Sequence, residues 1–118
     1  DVPDIIVEGE ESGELLVLGW GSTYGAIKEA IMHIKAKGYS VSQAHISYIN
    51  PFPSNLGEVL NRFKKILLPE LNCGQMAFIL RAKFLKDIIQ FNKVQGQPFK
   101  VAEIENKIIE VLGGKNGN

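Results

Sequence analysis

Three short stretches of this chain bring together residue types that could do chemistry. The first is Gly19-x-Gly21-x-x-x-Gly25, with Ser22 and Thr23 inside it. Glycines leading into a helix can leave backbone N–H groups free to cradle an anion such as a phosphate, with Gly21, Ser22 and Thr23 as the holding residues. The spacing is one residue longer than the dinucleotide fingerprint, and no Gly-Lys-Ser/Thr element of a P-loop is present. The plainer alternative is a tight turn with Ser22 or Thr23 capping the helix. The second stretch, Glu70-Leu71-Asn72-Cys73-Gly74-Gln75, sets a carboxylate, amides and a thiol side by side. A thiol nucleophile needs a positioned base. Neither His33, on a helix, nor His45, within a strand, has a sequence tie to Cys73, so a helix cap and hydrogen-bonded turn is the simpler reading. The third is Pro51-Phe52-Pro53, which reads either as an aromatic wedge for a neighbouring chain or as a rigid strand exit whose ring enters its own core. No complete catalytic constellation appears, and no metal-ligating set.

Each stretch sits where an apolar segment ends. Leu15-Leu16-Val17-Leu18 is a continuous apolar run, the pattern of a strand covered on both faces as in a parallel sheet. From Thr23 to Lys37 the apolar positions Ile27, Ala30, Ile31 and Ile34 recur at helical spacing, and Gly38 ends the helix. Ile5-Ile6-Val7 is a short candidate strand joined to the first by an acidic turn. Residues Val41 to Ile49 alternate as a strand that Pro51 terminates. Asn55 with Glu58 suggests a capped helix start, with Leu56, Val59, Leu60 and Phe63 as its inner stripe. Lys65 to Leu68 reads as a strand, and Pro69 to Asn72 as the segment leaving the sheet. Asn72 and Gln75 repeat the cap spacing before a helix in which Met76, Ile79, Leu80 and Lys83 follow at helical intervals. Ile88, Ile89, Phe91 and Val94 suggest a further strand, closed by Gln95-Gly96-Gln97-Pro98. A last helix carries Val101, Ile104, Ile108, Val111 and Leu112 inward and stops at Gly113-Gly114. Strands alternating with helices predict a three-layer α/β/α sandwich. One domain over residues 1–118 is expected, with a disordered tail over 113–118.

Composition removes several function classes. Thirteen basic and thirteen acidic residues cancel, leaving no field of one sign for nucleic acid or an anionic membrane. Cys73 is the single cysteine, so this chain cannot form an internal disulfide or supply an all-cysteine metal or iron–sulfur site. No apolar stretch reaches transmembrane length, and a cytoplasmic location is expected. The sequence starts at Asp1, which suggests a piece of a longer polypeptide.

In order along the chain stand Gly19-Trp20-Gly21-Ser22-Thr23, Pro51-Phe52-Pro53, Glu70-Leu71-Asn72-x-Gly74-Gln75 and Lys93-Val94-Gln95-Gly96-Gln97-Pro98-Phe99. From about Leu15 to Leu112 this set resembles the last domain of the α subunit of 2-oxoacid:ferredoxin oxidoreductases, particularly the 2-oxoglutarate type. That domain is itself similar to the carboxyl-terminal domain of transketolases and dehydrogenase E1 β subunits.

The resemblance implies a five-stranded mixed, mostly parallel sheet with one strand running against the others. It implies an enzyme that decarboxylates a 2-oxoacid (2-oxoglutarate or pyruvate) on thiamine diphosphate with magnesium, reduces ferredoxin through an iron–sulfur cluster and forms an acyl-CoA. This chain has no Gly-Asp-Gly…Asn stretch of the kind that holds magnesium and diphosphate. It therefore reads as a non-catalytic assembly domain, inactive in isolation and with no cofactor of its own. Its implied partners are the remaining α-subunit domains, a thiamine-diphosphate-binding β subunit and, through the complex, ferredoxin. The interface candidates are Phe52, Pro53, Glu70, Asn72, Gly74 and Gln75; no catalytic residue is assigned. Two other readings stay open: a freestanding phosphate-binding module using Gly21, Ser22 and Thr23, and the same domain from a transketolase or E1-type enzyme.

Overall fold

The computed structural model describes residues 1–71, 74–93 and 97–114. In chain order the elements are β1 (Val7–Glu8), β2 (Gly13–Trp20), α1 (Tyr24–Ala36), β3 (Ser42–Ile46), α2 (Leu56–Asn61), β4 (Phe63–Glu70), α3 (Gln75–Phe84), β5 (Ile89–Asn92) and α4 (Val101–Val111), with a 3-10 turn over Gly21–Thr23. The strands form one sheet in the order β1-β3-β2-β4-β5. Neighbouring strands are parallel except β1, which runs antiparallel to β3. This is the five-stranded mixed sheet that the sequence implied.

The apolar run in β2 is continuous because both faces of the sheet are covered. Leu16 and Leu18 join Ile66, Leu68 and the inner residues of α2 and α3 in one core. Leu15 and Val17 join Leu67 and the inner stripes of α1 and α4 in the other. Each fully buried leucine contributes about 1.5–3 kcal/mol, so the central strand supplies a large share of the drive to fold. On the α1 side, His33 Nδ1 lies 2.6 Å from Glu105 Oε2 and ties α1 to α4. Gly38, with φ of 95°, closes α1 with its N–H on the Lys35 carbonyl. That is the glycine stop read from the sequence.

Several boundaries differ from the sequence reading. β3 stops at Ile46, where its partner β2 also stops at Trp20, so Tyr48 and Ile49 lie exposed beyond the sheet. Phe63 opens β4 instead of completing the α2 stripe, though it is buried as expected. Pro69 and Glu70 remain in β4, paired with Phe91 and Asn92 of β5. Proline fits there because the ladder to β2 has already ended at Val17↔Leu67. Asn55 precedes α2 without capping it through its side chain. Its Oδ1 accepts from the Ile5 N–H at 2.9 Å and its Nδ2 donates to the Ile5 carbonyl at 3.0 Å, giving the entry segment the partners its two-residue strand cannot. Val94, Gln95, Gly96 and the segment 115–118 lie outside the described residues, as do Asn72 and Cys73. Gly113 and Gly114 donate to the Glu110 and Ile109 carbonyls at the end of α4.

Candidate functional site

The chain leaves β2 toward β3 on one side and later places β4 on the other, so the carboxyl ends of β2 and β4 form the topological switch point of the sheet. In open α/β sheets ligands and partners gather there. The ladder between these strands ends at Val17↔Leu67, and each strand runs on for three more residues without pairing across the gap. Two of the three sequence-predicted stretches meet at this mouth, the β2 exit and the β4 exit. A cavity of about 200 Å³ lies there, lined by Trp20, Gly21, Ser22, Thr23 and Leu71.

On the β2 side the glycines have separate tasks. A Cβ on Gly19 would stand 2.8 Å from Ile27 Cδ1 and 3.1 Å from Thr23 Oγ1, so this glycine lets α1 close onto the strand. Gly21 adopts φ of 68°, the left-handed region that favours glycine. Ser22 is exposed beside it. The Thr23 side chain makes no cap bond to α1. Its buried hydroxyl accepts from the Trp20 N–H at 3.3 Å and donates to the Trp20 carbonyl at 3.0 Å, locking the turn on itself.

On the β4 side Glu70 is 1% exposed. Its Oε1 accepts the Met76 N–H in the first turn of α3 at 2.8 Å, while Oε2 has no partner among the described residues. The sequence placed the cap of this helix on Asn72 and Gln75. The residue before the helix is instead Gly74, with φ of 85°, and Gln75 is its exposed first residue. Reaching back from the strand end, the Glu70 carboxylate satisfies one of the free N–H groups of the α3 start. It occupies the place an anion would take there. A Cβ on Gly74 would fall 1.9 Å from Gln90 Nε2, so the β5 side chain closes over this turn.

Elsewhere, Phe52 is half-buried with its ring 5.9 Å from that of Phe84, Pro53 is buried, and the Asn50–Pro51 peptide is cis. The Pro51–Pro53 stretch follows β3, on the far side of β2 from Glu70. His33 belongs to the α1–α4 contact described above. His45 packs edge-on against Tyr24 with centroids 5.4 Å apart, and its buried Nδ1 has no partner. Burial pushes this imidazole below its ordinary pKa, against an opposing pull from Glu8. Burial likewise disfavours the charge of Glu8, but hydrogen bonds from Tyr24 and Lys28 outweigh it and hold the carboxyl below the usual range. This Glu8–Tyr24–Lys28–His45 cluster was not legible in the sequence, because its members come from three elements.

A second feature was missed for a different reason. Ile79, expected in the inner stripe of its helix, is 42% exposed, and Phe78 and Leu85 are more exposed still. Residues 76–80 are apolar without a break, too wide a stripe for one buried face. That excess width was the available signal.

Residues 13–104 match the family described as pyruvate:ferredoxin oxidoreductase core domain II. The chain belongs to this family. Its relatives in the core domain II family include the 2-oxoglutarate oxidoreductase subunit KorA of Mycobacterium tuberculosis, 47% identical over 115 residues, covering 97% of this chain and 18% of that protein. The 2-oxoglutarate synthase subunit KorA of Methanocaldococcus jannaschii is 28% identical, covering 86% of this chain and 28% of that protein. Among solved structures, the 2-oxoglutarate:ferredoxin oxidoreductase of Magnetococcus marinus superposes with a TM-score of 0.86 at 28% identity, covering 94% of this chain and 20% of its own. A transketolase from Campylobacter jejuni shares the fold, with a TM-score of 0.60 at 14% identity over 90% of this chain and 18% of its own. The chain therefore spans about a fifth to a quarter of the length of these relatives.

Among the described residues no group of three or more His, Cys, Asp or Glu could hold a metal ion. The switch-point cavity carries no cationic side chain for a diphosphate, and its volume falls below the roughly 300 Å³ at which ligand pockets begin. A larger depression of about 590 Å³ at the opposite end of the sheet includes Arg62, Lys64 and Lys86. Those cations are already engaged by Glu11, Glu14 and the Phe63 carbonyl. Among the described residues no helix is long and apolar enough to cross a membrane.

Proposed function

We propose that this chain is a non-catalytic structural and assembly domain of the α subunit of a 2-oxoacid:ferredoxin oxidoreductase, of the 2-oxoglutarate type. The observation that carries this reading is the 47% identity to a 2-oxoglutarate oxidoreductase subunit across 97% of the chain. The whole enzyme would decarboxylate a 2-oxoacid oxidatively to an acyl-CoA while reducing ferredoxin. Thiamine diphosphate, magnesium, an iron–sulfur cluster and CoA would be held by other domains and by a β subunit in the cytoplasm. The described residues support the non-catalytic role through what they do at the switch point. Thr23 and Glu70 spend their hydrogen bonds on the turn and on the start of α3, which stiffens this edge. Phe52, Pro53, Glu70, Gly74 and Gln75, with Asn72 beyond the described residues, are the candidates for contact with the rest of the subunit.

A native pull-down with an antibody to this chain, followed by mass spectrometry, tests the reading. A longer polypeptide recovered with a thiamine-dependent, iron–sulfur-bearing partner is expected. A lone 13.0 kDa protein overturns it. The isolated chain should show no 2-oxoacid-dependent dye reduction, and turnover by it alone would refute the non-catalytic assignment.

A further inference from the structure

The outward side of α3 is unlike that of the other long helices. Phe78 is 71% exposed, Ile79 42% and Leu85, just past the end of the helix, 90%. By contrast α1 presents Lys28, Glu29, His33 and Lys35, with Met32 alone among them, and α4 presents Ala102, Asn106 and Glu110. Leu85 adds a second anomaly. It sits at φ of 53°, the left-handed conformation that a non-glycine residue adopts at a cost. Glycine usually closes a helix in this way. A strained leucine projecting fully into water gains nothing from its side chain within this domain. The feature makes sense when that side chain is buried by something else.

Two further observations indicate what covers it. Three side chains alone fall short of the roughly 800 Å² per partner that a free-standing stable interface buries, since even an aromatic side chain buries only about 150–250 Å². A contact of this size holds when its two sides are already tethered at an effective concentration on the order of millimolar. The chain matches only 18% of the length of a relative that aligns with 97% of it, so in such a protein most of the polypeptide is available as that tethered partner. The surface that meets these side chains needs an apolar centre.

Resting on the reading given above, we infer that the outer face of α3, centred on Phe78 and Leu85, docks against an apolar surface of the same α-subunit polypeptide outside these 118 residues. This contact makes α3 an element through which the domain is held in the subunit.

Photocrosslinking in the complete α subunit, in whatever complex it is purified in, tests this directly. p-Benzoylphenylalanine is placed at Phe78 in one preparation and at Leu85 in a second. Both side chains are exposed, so neither replacement disturbs the core. The expected result is a crosslink from each position to the same polypeptide, in an apolar segment outside the 118 residues. A crosslink to another subunit, to a second copy of this domain or to lipid overturns the inference, and so does irradiation that yields no crosslink from either position. Failure of the underlying reading shows itself earlier and differently, because no longer polypeptide bearing these residues would then be recovered.

Discussion

Replacing Gly19 by alanine should destabilise the domain by about 1–2 kcal/mol. The new methyl would lie 2.8 Å from Ile27 Cδ1, 3.1 Å from Thr23 Oγ1 and 3.3 Å from His45 Nδ1. None of these three can yield easily. Ile27 is 1% exposed, so its terminal methyl has no solvent to swing into. The Thr23 hydroxyl is committed to Trp20 through two hydrogen bonds. Overpacking of this kind costs about 1–3 kcal/mol, and the reduced freedom of the unfolded alanine chain returns about 0.4–1 kcal/mol. With an unfolding entropy near 0.25 kcal/mol/K for a chain of this size, Tm should fall by about 4–8 °C. Gly25, in the same sequence motif, should behave oppositely. An added Cβ there meets nothing within 4 Å, and the residue lies in the first turn of α1. Gly25→Ala should stabilise by about 0.5–1 kcal/mol. Thermal melts followed by circular dichroism read both effects. Ile27→Val removes the clashing Cδ1 and costs about 0.5–1.5 kcal/mol alone. In the Gly19→Ala background its cost should largely vanish. Gly19→Ala melting at or above the parent, or full additivity of the two changes, would refute the close-approach role given to this glycine.

Ile31→Asp should cost about 3–5 kcal/mol, because Ile31 is 4% exposed beneath α1 and the carboxylate would lie unpaired in the core. A denaturation midpoint matching the parent would show that the inner face of α1 had been assigned wrongly. Stability should also fall in two stages on acidification. His45 is held below its ordinary value of 6.5, so the unfolded chain takes up its proton first; the contribution is complete above about pH 6.5 and declines as pH falls toward the folded value. Glu8 is held below its ordinary 4.5, so its contribution is present above that pH and is lost as pH falls through the lower, folded value. Melting temperatures recorded from pH 8 to pH 3 should show both stages, and His45→Gln should remove the first. A flat parent profile between pH 7 and pH 5 would contradict the burial of the imidazole.

Local pattern was enough for the sheet and for the inner faces of α1 and α4, since Leu15–Leu18 and the Ile27–Ile34 spacing state which sides are covered. The boundaries depended on neighbours instead. β3 ends at Ile46 because β2 ends beside it, and Pro69 stays in its strand because β2 has already parted from it. Nothing in either segment alone carries that information. Asn55 and Glu70 show the same limit at the level of side chains. Each looks like a local cap, yet one holds Ile5 and the other reaches from a strand end to α3, across 50 and 6 residues of sequence. The family resemblance was legible because four short motifs fall in order. The exposed side of α3 escaped because an apolar helix reads as buried whichever way it faces.

The unpaired ends of β2 and β4 have a mechanical consequence. The β1–β3–β2 half of the sheet and the β4–β5 half are joined by a single ladder, Gly13↔Phe63 to Val17↔Leu67, between segments some fifty residues apart. Because that ladder stops short of the carboxyl edge, the sheet carries a built-in notch there. Load applied at the notch, whether by a bound molecule or by a neighbouring domain pulling on α3, falls on the Val17↔Leu67 rung first and passes inward one rung at a time. The sheet resists as a zipper does from its open end. Its amides should therefore gain protection from hydrogen exchange in sequence from Leu67 toward Phe63.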